Sequence, residues 1–221
     1  MAKRGISLIL FMIFLSAFLY GQEIVSADRF MQMVSNHYSG IRDFEANIAI
    51  RSGNQNMAGR ISYLVPSFLR IEFTAPATQL IVFNGEALNI YDPGMRAVLN
   101  QSFGPGRRSG GVGAGLSMLR NNYVPSFVTS PYPEPLDGSG ERVVRLRLTR
   151  RSASEGFREI ILSVNPDTRL IRRMEGTTIG DSVVRFDFTN IRINQGIPEQ
   201  RFVFDPPSGA NMYPNFLFRI D

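Results

Sequence analysis

Gly59-Arg60-Ile61-Ser62-Tyr63-Leu64-Val65-Pro66-Ser67-Phe68-Leu69-Arg70-Ile71-Glu72-Phe73 is the stretch that decides the fold. Ile61, Tyr63 and Val65 fall on one side of a period-two pattern, with Arg60 and Ser62 on the other. Pro66 breaks the run, and Leu69, Ile71 and Phe73 then alternate with Arg70 and Glu72. Alternation of this kind marks half-buried strands, since successive side chains of a strand point to opposite faces. The segment therefore reads as strand, turn, strand.

The pattern extends in both directions. Upstream, Phe44, Ala46, Ile48 and Ile50 alternate with Glu45, Asn47, Ala49 and Arg51 before a turn at Gly53-Asn54. Downstream, the apolar run Leu80–Phe83 closes at Asn84-Gly85, a hairpin signal. Leu88 and Ile90 lead to the turn Asp92-Pro93-Gly94, and a strand returns over 95–101. The second half repeats the habit. Val144, Leu146 and Leu148 alternate with arginines, and Ile160, Leu162 and Val164 end at the turn Asn165-Pro166-Asp167. Further strands are expected over 170–175, over 182–193 with Val184, Phe186 and Phe188 on one face, and over 201–205. Many antiparallel strands with one-sided alternation predict a mainly β fold, a strongly curved sheet or barrel with one polar face.

Between Ser102 and Asp137 the alternation lapses. Residues 104–115 are glycine-rich and read as a flexible loop, Leu116–Tyr123 as a short helix, and Tyr132-Pro133-Glu134-Pro135 as a stiff loop. One longer helix precedes the strands. Phe30, Met33, Val34, His37, Tyr38 and Ile41 recur at spacings of three and four, with Ser26 as a cap and Gly40 near the stop. Before it, Lys3 and Arg4 precede an apolar run from Ile6 to Tyr20 and the small residue Gly21. That is the layout of a secretory signal peptide, and the run is short for a membrane span. Residues 1–21 are expected to be cleaved near Gly21, leaving 22–221 as one domain in the periplasm.

Composition excludes several chemistries. The 221-residue chain has no cysteine, which removes disulfides, thiol catalysis, Cys-ligated zinc and a lipid-modified N-terminal cysteine. Its one histidine, His37, rules out a multi-histidine metal site and sits on the apolar face of the first helix as a packed, hydrogen-bonded residue. The glycines at 110–115 lack the Lys-Ser/Thr of a P-loop, since Leu116-Ser117 follows. No serine has the context of a nucleophile elbow, and the acids Asp43, Glu45, Glu72 and Asp187 show no spacing that sets them apart from solvated strand faces. No enzyme, cofactor or metal is expected. The formal charge of +5 includes Lys3 and Arg4; without the leader 22 arginines face 19 acids, a net +3 that is no nucleic-acid footprint. Lys3 is the only lysine, so arginine carries all the remaining basic charge. Those arginines either reflect codon usage and solubilise outer strand faces, or the pairs at 107–108, 150–151 and 172–173 contact lipid phosphates or an acidic partner. The apolar inventory, with 17 Phe and 9 Met, fits either a filled core or an apolar cavity.

A resemblance bears on that choice. Gly59-Arg60-Ile61-Ser62-Tyr63, Pro66, Phe68-Leu69-Arg70-Ile71-Glu72, Pro76, Gln79-Leu80-Ile81-Val82, Asn84-Gly85 and Tyr91-Asp92-Pro93 follow one another in an order that resembles the periplasmic outer-membrane lipoprotein carrier family, the LolA-like proteins. Phe202-Val203-Phe204-Asp205-Pro206-Pro207-Ser208-Gly209 is similar to the closing element of that family, and the leading helix followed by Phe44 also fits; 102–141 matches poorly.

The resemblance implies an incomplete β-barrel with a helical lid over an apolar cavity. It also implies a soluble, monomeric carrier of acylated lipoproteins, loaded by an inner-membrane ABC-type release complex and unloaded at an outer-membrane acceptor. An acceptor of similar fold would bear a lipidated Cys, which this chain lacks. On this reading Ile48, Ile50, Ile61, Tyr63, Val65, Leu69, Ile71, Phe73, Leu80, Val82 and Ile90 point into the cavity. Leu146, Leu148, Ile160, Leu162, Phe186 and Phe188 join them from the second half, while Phe30, Met33, Val34 and His37 form the lid. One departure stands out. Where family members place a lid-controlling arginine before the proline, this chain has Val65, and Arg70 matches a different basic position. Two other readings stay open: a carrier of a glycolipid or other envelope lipid, and an envelope stress-sensing module on the same fold. Related sensors carry an additional C-terminal domain, for which Asp221 leaves no room.

Overall fold

The computed structural model describes residues 25–75, 79–103 and 112–217, without the side chains of 112–114. The expected leader and the glycine-rich residues 104–111 lie outside the described residues. The sequence reading of alternating strands holds. Thirteen strands form one sheet: β1 Asp43–Ser52, β2 Gln55–Leu64, β3 Phe68–Ala75, β4 Leu80–Asn84, β5 Ala87–Asp92, β6 Ala97–Ser102, β7 Tyr123–Phe127, β8 Glu134–Pro135, β9 Arg142–Arg150, β10 Phe157–Val164, β11 Ile171–Thr178, β12 Val183–Ile193 and β13 Asn211–Pro214. Their order is β13-β6-β5-β4-β3-β2-β1-β12-β11-β10-β9-β7, with β8 paired to β9 off that path. All pairs are antiparallel except β13 with β6. Among the described residues two α-helices accompany the sheet, α1 Ala27–Ser39 and α2 Val112–Asn122.

Cross-strand register fixes which side chains share a face. Ala46 lies opposite Ile61, Ile61 opposite Ile71, Ile71 opposite Ile81, Ile81 opposite Ile90 and Ile90 opposite Leu99. A second apolar row runs Phe127, Leu146, Leu162, Met174, Phe186, Ile50, Met57. These rows occupy the face on which the helices sit. Two clusters form there: one joins α1 and Leu116 to Tyr123, Leu146, Leu148, Ile160 and Leu162, and the other holds Ala46, Ile48, Ile50, Ile61 and Phe73. Phe44 packs against both clusters.

The other face is charged over β9–β12. Arg185 reaches Glu175 at 2.7 Å, Arg173 Asp187 at 2.5 Å and Arg147 Glu159 at 3.0 Å. Opposite charges on neighbouring strands support each other, each pair by about 0.2–1 kcal/mol. Arg172 also pairs, with Glu141 at 2.8 Å. Much of the arginine excess is thus spent on holding one sheet face in water.

Over β1–β4 the same face is covered by the chain after β12. Asp43 accepts hydrogen bonds from the Gln195 and Gly196 backbone N–H groups at 2.7 and 3.0 Å. The expected strand over 201–205 is instead a 3-10 turn, Glu199–Phe202, followed by irregular chain. Its Phe202 is buried beside Phe68, ring centroids 5.5 Å apart. Arg70 donates to the carbonyls of Arg201 and Val203 at 3.2 and 3.4 Å. This segment lays one aromatic side chain into the sheet while Arg70 takes up two of its carbonyls in place of a strand partner.

Candidate apolar binding site

α1 starts at Ser26, whose hydroxyl accepts from the Arg29 backbone N–H at 3.2 Å, and ends at Gly40. Its buried residues are Phe30, Met31, Val34, Ser35 and Tyr38. The expected face is therefore turned: Met33 and His37 are half-buried flanks, and Met31 and Ser35 are inside. The cause is a second neighbour. α2 packs along α1, and the Ser35 hydroxyl meets that of Ser117 at 3.2 Å. A helix wedged between a sheet and another helix buries a wider arc than a one-sided stripe. Phe30 meets Phe127 of β7 with centroids 6.3 Å apart, and the Tyr38 hydroxyl accepts the Ile171 N–H at 2.9 Å.

Between these helices and the centre of the sheet lies an apolar pocket of about 310 Å³. Tyr38 and Ile41 at the end of α1 and Leu116 and Leu119 of α2 form its roof. Phe44 and Ala46 of β1, Leu170, Ile171 and Met174 at β11, and Phe188, Ile191 and Ile193 of β12 form its floor and walls. Among the described residues that line it, only Tyr38 has a polar group at the end of its side chain. Burial pushes the Tyr38 phenol up to about 12, only partly offset by the Ile171 N–H and by Arg172. His37 is held below its ordinary value, first by desolvation and then by Arg169. Its Nε2 is buried with no hydrogen-bond partner among the described residues, although the sequence predicted a packed, hydrogen-bonded ring. The ring makes an edge contact with that of Tyr38, centroids 6.1 Å apart.

The structure distributes the cavity residues expected from the sequence over three environments. Of them, Phe188 lines this pocket. Ile48, Ile50, Ile61, Phe73, Leu146, Leu148, Ile160 and Leu162 are buried on the same face in the two clusters. Leu69, Ile71 and Phe186 pack half-buried beside the second cluster; Tyr63 stacks on Phe44 at 5.4 Å; Ile90 shares a register row with Ile81.

Two expected residues do not face this way, and a third lies outside the strands. Val82 lies opposite Arg70 and Leu80 opposite Glu72, so both point to the charged side of the sheet, where the 3-10 turn packs against β4. An unbroken apolar run such as Leu80–Phe83 carries no parity signal, because β4 is covered on both faces. Val65 lies beyond the end of β2 and is 38% exposed. Of the residues expected to form the lid, Phe30 and Val34 are buried within the first cluster and Met33 packs against it, while Tyr38 and Ile41 reach the pocket. Sequence reading placed both on the apolar helix face but gave them no site role. Their position at the end of α1, just before β1, was the available signal.

Residues 49–106 match the family model described as outer membrane lipoprotein carrier protein LolA. An outer-membrane lipoprotein carrier protein of Dechloromonas aromatica is 25% identical over 189 residues, covering 85% of this chain and 86% of the relative. One from Bordetella avium is 26% identical over 187 residues, covering 84% and 85%. Among solved structures, an uncharacterized conserved protein from Thermus thermophilus superposes with a TM-score of 0.57 at 11% identity, over 83% of this chain and 98% of that one. A chain of the Pseudomonas aeruginosa MucA/MucB complex gives 0.52 at 17% identity, over 81% of this chain and 61% of that one. At these identities the structural matches establish the fold alone. The relatives matched in sequence are named as carriers, and the chain is mainly β in fold and similar in sequence to the outer-membrane lipoprotein carriers over most of its length.

Proposed function

We propose that the chain is a periplasmic carrier that shields the acyl chains of lipoproteins between the inner and outer membranes. The observation that carries this is the apolar pocket under α1 and α2, in a chain that matches lipoprotein carriers over 85% of its length. The physical need is plain. Each methylene kept from water is worth about 0.8 kcal/mol, so an acylated protein leaves a membrane only if something else covers its chains. The pocket meets this with aliphatic, aromatic and thioether side chains, and Met174 in the wall adapts to chains of different length.

Removal of residues 1–21 on export, loading from an ABC-type release complex and delivery to an outer-membrane acceptor complete the proposal. The exposed position of Val65 supports a lid held by contacts other than a residue at that site. Extraction of the protein purified from its envelope, followed by mass spectrometry of what it holds, tests the reading. Acylated peptide is the expected content. A glycolipid would redirect the proposal to another envelope lipid, and the recovery of one cross-linked regulatory protein with no acyl cargo would replace it with a sensing role.

A further inference from the structure

The geometry points to Tyr38 as a hydrogen-bond donor to the ester carbonyl of a bound acyl chain, so that the pocket selects neutral acyl esters over plain hydrocarbon. This rests on the proposed carrier function and specifies the chemistry of its site. Two observations carry it. The first is isolation: the other side chains that line the pocket end in hydrocarbon or, at Met174, a thioether. The second is an unused donor. The Tyr38 oxygen is engaged as an acceptor by the Ile171 N–H at 2.9 Å, and among the described residues no acceptor takes its O–H. Tyr38 is only 9% exposed, and both residues of that hydrogen bond line the pocket. A phenol has one donor and can accept as well, so the donor remains available while the Ile171 contact holds the ring in place. A buried polar hydrogen without a partner is unfavourable, and a ligand acceptor relieves that cost.

The ligand class follows from what the wall lacks. Among the described residues no lysine or arginine lines the pocket, and Arg172, whose charge acts on Tyr38, is already paired with Glu141, so a fatty carboxylate would enter without a free counter-charge there, whereas an ester brings an acceptor and no charge.

The test uses Nile red bound to the protein lacking residues 1–21, displaced by methyl laurate or by tridecane. A net hydrogen bond of about 1 kcal/mol corresponds to roughly fivefold tighter binding of the ester. Tyr38→Phe is expected to abolish that preference while leaving tridecane binding in place. Because this variant also loses the Ile171 contact, a second reading uses the unaltered protein. The infrared carbonyl stretch of carbonyl-13C methyl laurate is expected at lower frequency when bound than in dry alkane. An ester preference that persists in Tyr38→Phe, or a carbonyl stretch unshifted on binding, overturns the assignment while dye and acyl binding leave the carrier reading standing. Failure of the protein to bind Nile red, ester or alkane overturns both.

Discussion

At the level of single residues, His37 and Arg70 illustrate how this molecule uses polar groups. His37 is held below its ordinary value of 6.5 by desolvation and by Arg169. The unfolded chain therefore binds a proton at a higher pH than the folded one, and stability falls as the pH drops through 6.5. Urea unfolding across this range should show a smaller acid-induced loss in His37→Gln than in the parent; equal losses would mean that the ring is not the source. Arg70 ties the C-terminal segment down through two carbonyls and an ion pair with Glu72 at 2.9 Å. Arg70→Ala should cost about 1–3 kcal/mol and raise amide hydrogen exchange at 197–204 before that of the sheet. Neither role was legible beforehand. A sequence shows that Arg70 alternates outward, but not that a returning segment lies on that side.

At the level of elements, strand register decides most of the packing. A methyl group added at Gly59 would come within 2.2 Å of the Glu72 carbonyl oxygen, at the irregularity in register between β2 and β3. Gly59→Ala should therefore destabilise the fold far more than alanine at the open Gly180, measured by denaturant midpoint at constant slope. Phe202 tests the 3-10 turn that replaced the expected last strand. At 1% exposure, its change to Ala should cost about 3–5 kcal/mol, and Leu162→Ala in the first cluster about 2–5 kcal/mol.

Strands with clean alternation, such as β1, β9 and β10, were legible because each has one polar face. β7 and β13 were not. β7 follows directly on α2 with Pro125 at its centre, and β13 is four exposed residues in the sheet's one parallel pair, so neither shows a period. Leu80–Phe83 is the same problem in a partly buried strand: its apolar run has no period, and the side of Val82 emerges only from its pairing with Arg70.

At the level of the whole molecule, the sheet separates two tasks. One face carries arginine–carboxylate pairs and the C-terminal segment, which provide solubility and stability. The other carries two apolar clusters that meet under the helices, and the pocket opens where they meet. The mainly β class was readable from alternation, while the pocket depends on how α1 and α2 lie over β1, β11 and β12, which a sequence pattern does not encode. The most direct test of the carrier reading is to mix the chain lacking residues 1–21 with a detergent-solubilised acylated lipoprotein and remove the detergent. The account predicts a soluble complex that co-elutes in gel filtration and is lost when the lipoprotein is deacylated. A lipoprotein that sediments equally with and without the chain, or co-elutes equally well without its acyl groups, would contradict it.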